Sequence, residues 1–318
     1  MISLQQAIDL SLVQVSAYRN AELNSLISTE DVRQAKAGFV PKVSVPLNFI
    51  YSSPSLGPTR PRPPAFLGAN AITEYQALIE ASGEIDTSGK LKATLAKNNA
   101  LLESAKAGSE VAKRDLIQSV TESYYTLALA SAKRAGAESN LEIAAEFERV
   151  TKLNVDAGEV APIDLVRARL QTQNRRDEFE QAKSDENVNS VALKFLIGGD
   201  LTQPVTTTDL LIELPAADEV ERFSAATLQS RPEFAQYAAD AQVAEKDIAL
   251  ARSERRPQLT YSVGAGFVSD SLRLTPLKNQ TGVQATVGFT IPIFDGGASK
   301  SRETQAKLKL QQVENQRQ

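Results

Sequence analysis

Residues 282–307 read GVQATVGFTIPIFDGGASKSRETQAK. Val283, Ala285, Val287, Phe289, Ile291 and Ile293 place an apolar side chain at every second position, against Gln284, Thr286, Gly288 and Thr290. A period of two puts the apolar set on one face of a strand and the polar set on the other. After Asp295-Gly296-Gly297 the alternation stops and a polar, helix-favouring run begins. The stretch predicts a two-faced strand joined to a helix through a tight corner, with glycine letting the backbone swing. Residues 83–97, GEIDTSGKLKATLAK, repeat that corner around Asp86 without the Gly-Gly pair.

Three more segments alternate in the same way. Val43, Val45, Leu47, Phe49 and Tyr51 oppose Lys42, Ser44, Asn48 and Ser52, with Ile50 an exception. Pro46 counts against a central strand there, because it removes a ladder donor. Tyr75, Ala77, Ile79, Ala81, Gly83 and Ile85 oppose Glu74, Gln76, Glu80, Ser82 and Glu84, and Leu78 breaks the polar side. Leu259, Tyr261, Val263, Ala265 and Phe267 oppose Thr260, Ser262, Gly264 and Gly266. A Pro- and Gly-rich loop, SPSLGPTRPRPPAFLGANA, joins the first pair of strands, and a second loop, SDSLRLTPLKNQT, joins the other pair.

The rest reads as helix. Ser3 with Gln6 forms a capping box that opens a helix through about residue 17, and a second runs from about Ala21 to Ala37. From Gly89 to Asp156 there is no proline, and only Gly108 and Gly136 interrupt. At ~1.5 Å per residue that helix is on the order of 100 Å long. Leu95, Leu102 and Leu116, then Val120, Leu127 and Leu141, keep a heptad step, so it is expected to pack along partners as a coiled coil. Gly158 suits a helix end and Pro162 a first turn, so a return helix is expected to run to Ile197 and stop at Gly198-Gly199. After a segment containing Pro204 and Pro215, a short helix (ADEVERFSAATLQS) and a longer one lead into the strand at Pro257.

The plan occurs twice. Asp31, Val32, Ala35 and Pro41 match Asp247, Ile248, Ala251 and Pro257 at a constant offset, and Asp86 matches Asp295. The expected organisation is a first repeat over 1–198, comprising helices in 1–40, strands in 41–86 and a long helical hairpin in 87–198. A connection over 199–218 follows, and then a second repeat over 219–318, with helices in 219–256, strands in 257–294 and the start of a long helix in 295–318. Because Gln318 falls early in that helix, the second repeat is expected to be truncated. The N-terminus shows no charged n-region or cleavage site, so an export signal is expected to have been removed or to lie outside these residues.

Composition removes several functions. The 318 residues are 42% hydrophobic but only 6% aromatic, with neither Trp nor Cys, so disulfides and thiolate metal sites are excluded. A net charge of −4 with both signs interspersed gives no basic stripe for nucleic acid. The absence of His removes the commonest general base and metal ligand. No Gly-rich phosphate loop, metal cluster or nucleophile–base arrangement is visible, so no catalytic, cofactor-binding or metal residue is assigned and an enzyme is not expected.

Strands of this length span a bilayer when tilted, with one face to lipid and the other to water. Four strands close no useful lumen, and an open edge in lipid would strand backbone donors and acceptors, so several chains are expected to contribute. Val43, Val45, Leu47, Phe49, Tyr261, Val263, Val287, Phe289 and Ile291 are the expected lipid-facing residues. Glu74, Glu80 and Glu84 are expected to face the lumen, where they either bias it toward cations or simply solvate it. A half-buried antiparallel sheet in a soluble domain is the alternative for the same alternation.

VTESYYTLALASAKRAGAESNLEIAAEFERVTKLNVDAGEVAPIDLVRARLQ resembles the long-helix and tip signature of TolC-type outer-membrane efflux proteins, at Val120, Tyr124, Leu127, Gly158, Asp164, Leu165 and Ala168. RPEFAQYAADAQVAEKDIALARSERRPQL is similar to the opening of that family's second repeat, and PIFDGGASKSR to its strand-to-helix corner. The resemblance implies an α+β, mostly α chain. Its homotrimer would carry a 12-stranded outer-membrane barrel continued by an α-helical periplasmic tunnel. It also implies passive conduction as the channel of a tripartite efflux or type I secretion system, loaded by an inner-membrane transporter and a periplasmic adaptor. Gly158, Ala161, Asp164, Leu165 and Ala168 would then form the adaptor-contact tip. Asp86, Asp295, Gly296 and Gly297 would form the corners between membrane sheet and periplasmic helix. Gly158 and Asp164 serve equally well merely to build the turn and cap the return helix. A periplasmic adaptor and a soluble coiled-coil scaffold are the alternatives to a channel.

Overall fold

The structure, a computed structural model, describes residues 1–14, 16–53, 73–200, 205–207, 231–270, 272 and 280–317. The Pro-rich loop after Ser53, most of the second inter-strand loop, most of the 199–218 connection and the short helix after it lie outside these residues. The chain groups into two compact units, Met1–Ser25 with Ala105–Phe234 and Leu26–Ser104 with Ala235–Gln318.

In the first unit the predicted capping box is present: Ser3 and Gln6 exchange side-chain and backbone hydrogen bonds, and α1 (Leu4–Val13) follows. It ends sooner than residue 17, because the Ser16 hydroxyl accepts from the Arg19 amide at 3.2 Å and starts α2 (Ala17–Ala37) afresh. α3 (Lys90–Asp156) is one helix of 67 residues that begins in the second unit, and α4 (Pro162–Ile197) returns beside it. Val120 and Leu127, on the predicted heptad step, join Tyr124, Ala7 of α1 and Leu193 and Ile197 of α4 in a closed core. Tyr124 satisfies its hydroxyl there by donating to the Ile2 carbonyl at 3.1 Å. Farther along the hairpin the interface is built from small residues. Ala144, Ala168 and Thr172 are buried, and the Thr172 hydroxyl donates to the Ala144 carbonyl at 3.2 Å.

The second unit holds an antiparallel sheet of β1 (Lys42–Ser44), β2 (Leu47–Tyr51), β3 (Thr73–Ile85), β4 (Gln258–Ser269) and β5 (Thr281–Thr290). β1 and β2 both pair with β3, and β4 and β5 follow in that order. β1 and β2 keep one register on β3, from Lys42 opposite Ser82 to Tyr51 opposite Thr73, so they form one strand interrupted at Pro46. The lost donor costs a single ladder bond, since the Pro46 carbonyl still accepts from the Leu78 amide at 3.4 Å. β5 stops at Thr290 rather than Ile293, because its partner begins only at Gln258, after Pro257. α5 (Pro232–Ser253) is tied to α3 by Lys97 and Asp247 at 2.6 Å, and to α6 (Ala298–Arg317) by Arg252 and Glu303 at 3.0 Å.

Candidate membrane sheet, corners and helical tip

Register places the predicted apolar residues in continuous rows across the sheet. Val43 lies opposite Ala81, Ala81 opposite Val263, and Val263 opposite Ala285. Tyr261 lies between Gly83 and Val287, and Leu259 faces Phe289. Seven of the nine residues expected to meet lipid lie in these rows on one side, Val43, Leu47, Phe49, Tyr261, Val263, Val287 and Phe289, while Val45 falls at the break between β1 and β2 and Ile291 just beyond β5. The side is open, with Val43 70%, Leu47 74% and Val287 72% exposed. A soluble half-buried sheet would hide such a face under another layer. Aromatics collect toward both ends. Phe49 and Tyr75 pack in a tilted pair with ring centroids 5.2 Å apart near the loops, while Tyr261 and Phe289 sit toward the helices.

Glu74, Glu80 and Glu84 lie together on the other side, with Lys42, Ser44, Ser82, Thr260, Ser262, Gln284 and Thr286. They are not equivalent. Glu84 pairs with Lys90 at 3.4 Å, and Lys90 also donates to the Gln258 side chain at 3.4 Å, so this carboxylate is neutralised locally. Glu74 accepts from Gln76. Leu78, the break in the polar pattern, sits opposite Gly266, where no competing side chain stands. A hollow of about 480 Å³ opens on this side, lined by Lys42, Ser82, Glu84, Thr260, Ser262 and Thr286 among others.

Both corners use an aspartate to cap the helix that follows. Asp86 accepts from the amides of Leu91 at 3.0 Å and Lys92 at 3.1 Å, neutralising donors that a helix start leaves open. Asp295 accepts from the amides of Gly297 at 3.0 Å and Ser299 at 2.8 Å, and from the Ser299 hydroxyl. The Ser299 hydroxyl first, and then these amides, hold the Asp295 carboxyl below the usual carboxylate range. Gly296 and Gly297 take φ of +67° and +87°, while the first corner manages with Gly89 alone at +80°. The first corner is also clamped from the second repeat: Thr87 donates to the Pro257 carbonyl at 3.2 Å, and Arg256 to the Ser88 carbonyl at 3.3 Å. One residue more separates Thr290 from Asp295 than separates Ser82 from Asp86, although both strand residues hold equivalent places in their ladders.

At the tip Gly158 has φ +79°. Its amide donates to Val155 at 3.0 Å, and the Glu159 amide donates to Asn154 at 2.9 Å. That pair of bonds around a left-handed glycine closes α3. Asp164 does not cap α4; the cap position is Ala161, which makes no side-chain bond, and Asp164 instead pairs with Arg167 at 3.2 Å. Gly158 and Ala161 are exposed, and Asp164 and Leu165 are half-buried. Ala168 departs from the expectation: it is 1% exposed, pressed into the α3–α4 interface, and so cannot belong to a contact surface. The pattern missed the exposed apolar residues Ile163, Val166 and Leu170 on α4, and Phe147 and Val150 on α3. The i, i+3, i+7 spacing of the α4 residues was the available signal, masked by charged neighbours.

Among the described residues, no helix is long and apolar enough to cross a membrane, and no group of three or more acidic residues is placed to hold a metal ion. A sheet with one open apolar face and one polar face, turned through aspartate-capped corners into long helices, defines the fold class of outer-membrane channels. The chain belongs to the outer membrane efflux protein family, which matches residues 7–199 and 224–318. It is 25% identical over 211 residues to the cobalt-zinc-cadmium resistance protein CzcC of Cupriavidus metallidurans, covering 66% of this chain and 49% of that one. It is 22% identical over 315 residues to the protein CyaE of Bordetella pertussis, covering 98% and 65%. Thus it spans about half the length of the first relative and 65% of the second. The Campylobacter jejuni CmeC outer membrane channel has the same fold at a TM-score of 0.82 and 19% identity, covering 99% of this chain and 66% of that one. The Vibrio cholerae outer membrane protein VceC follows at 0.80 and 18%, covering 99% and 74%.

Proposed function

We propose that the chain is the outer-membrane channel component of a tripartite efflux or type I secretion system, conducting its cargo passively from the periplasm to the exterior. The open apolar face on a sheet whose reverse is polar carries this conclusion, because lipid on one side and water on the other satisfy both faces at once. The two edges require further strands, since hydrocarbon offers no partner for their amides and carbonyls. A homotrimer, each copy giving four strands to a 12-stranded barrel, supplies them. The helices then extend into the periplasm, organised as the two repeats over 1–198 and 219–318. Gly158, Ala161, Asp164 and Leu165 form the tip that meets the periplasmic adaptor, which couples the channel to an inner-membrane transporter. Val43, Val45, Leu47, Phe49, Tyr261, Val263, Val287, Phe289 and Ile291 meet lipid; Glu74 and Glu80 supply the unneutralised charge of the wall, and Glu84 with Lys90 braces the corner.

Fractionation and conductance test the proposal together. The protein is expected in the outer membrane as a trimer that survives detergent and dissociates on boiling, and it should open ion-conducting pores in planar bilayers. A soluble monomer with no conductance would rule the channel out and favour a scaffold.

A further inference from the structure

We propose that β5 of one copy pairs with the β1–β2 strand of the next in a single register, with Phe289 opposite the partner subunit's Leu47. Val287 then lies opposite the partner subunit's Phe49, and Ile291 opposite the partner subunit's Val45. The inference rests on the channel proposal and goes beyond it by specifying how the copies meet.

Backbone directions show which residues are available. The Leu78 amide donates to Pro46 and the Val268 amide to Gln280, so even-numbered positions of β1, β2 and β5 point their backbone groups into the chain's own sheet. Odd-numbered positions point outward: Val43, Val45, Leu47, Phe49 and Tyr51 on one edge, and Val283, Ala285, Val287 and Phe289 on the other, continued by Ile291 and Ile293. Pro46 and Pro292 both fall at even positions, so neither missing amide interrupts an outward row. Edges that avoid pairing carry outward prolines, charges or bulges. These rows carry none.

The register comes from the chain's own junction between repeats. Gln258 stands to Pro257 as Lys42 stands to Pro41, and Gln258 pairs with Thr290 as Lys42 pairs with Ser82. β5 is therefore the counterpart of β3, and β1–β2 the counterpart of β4. In the internal junction Ala81 meets Val263, Ile79 meets Ala265 and Gly83 meets Tyr261. Carried across by the same correspondence, these become the three pairs proposed, and Ile293 falls opposite the partner subunit's Val43. Every pair matches apolar with apolar, and the open face continues around the ring. A slip of one residue would turn the partner's apolar set to the wrong side. The pairing is head-to-tail, which closes into a ring when the rotation allows. It also draws Ile291 and Ile293, which lie beyond β5 in the single chain, into the strand.

The sequence has no cysteine, so introduced thiols report without background. In this register Ile50 and Thr286 form a non-hydrogen-bonded pair between copies, with Cα atoms about 4.5 Å apart and within disulfide reach. Oxidised outer membranes carrying the I50C/T286C double variant should show a covalent ladder of dimer and trimer in place of the monomer band after boiling without reductant. I50C/T290C, four positions out of step, and each single variant should stay monomeric. The same samples run unheated report the trimer itself. A trimer with the ladder in I50C/T290C, or in neither double variant, overturns the register and leaves the channel standing. No trimer in any sample, including the unmodified chain, overturns both.

Discussion

A Cβ built on Gly266 would lie 2.0 Å from the Ala77 carbonyl oxygen and 2.8 Å from the Leu78 Cα, both backbone atoms that cannot step aside. Gly282, one strand over in the same row, has nothing within 4 Å. Gly266→Ala should therefore destabilise the folded sheet by about 1–3 kcal/mol, the range for overpacking, while Gly282→Ala leaves it unchanged. Urea unfolding of the detergent-solubilised protein checks both. Equal effects would mean that strand propensity, and not the approach of β3 to β4, sets the requirement. At Gly158 the constraint is backbone conformation alone, because φ is +79° and the space around it is open. Gly158→Ala is expected to cost about 1–2 kcal/mol through the left-handed turn, and Gly158→Asn less. Thermal unfolding of the three proteins reads that order.

Between elements, contact chemistry takes over from local preference. Glu303 of α6 is held by Lys307 at 2.9 Å, Arg252 at 3.0 Å and Arg255 at 3.4 Å. Lys307 first, and then Arg252, lower its carboxyl from 4.5 to about 2. Since the folded value lies below the unfolded one, the contribution is complete above about pH 4.5 and is lost as pH falls toward 2. Hydrogen exchange of α6, corrected for intrinsic rates, should lose protection over that window, and Glu303→Gln should lower protection at pH 6 and shrink the pH step, leaving the part that the Asp295 cap contributes. The elements themselves were legible in the sequence wherever a period declared them. Alternation located the strands, and the proline-free run located a helix ending at Asp156, as found. What the pattern could not show depended on neighbours distant in sequence. Lys90 neutralising Glu84, Arg256 clamping the first corner, and Ala168 turned into the hairpin all follow from packing that no window of consecutive residues contains. Ser16 differs: its cap is local in sequence, but the apolar run before it continues past the helix end and hides it.

At the scale of the molecule, the two faces of the sheet make opposite demands on neighbouring positions. Ile79 and Glu80 are adjacent at the middle of β3, which runs from Thr73 to Ile85, so they occupy nearly the same depth. Ile79 is 62% exposed on the apolar side, while Glu80 lies on the polar side opposite Ser44 and Gly264. If lipid covers the first and water the second, a lysine is expensive at one and tolerable at the other. Ile79→Lys should cost about 2–4 kcal/mol per chain at the bilayer midplane and deplete the boiling-sensitive trimer from the outer membrane. Glu80→Lys should leave trimer yield near that of the unmodified chain. It replaces a negative by a positive charge in each copy, so its reversal potential in a salt gradient should move toward anion preference, most strongly at low salt, where screening is weakest. Depletion of the trimer by both variants would indicate that β3 is covered on both faces, contrary to a barrel wall. Tolerance of both would mean that neither face meets hydrocarbon.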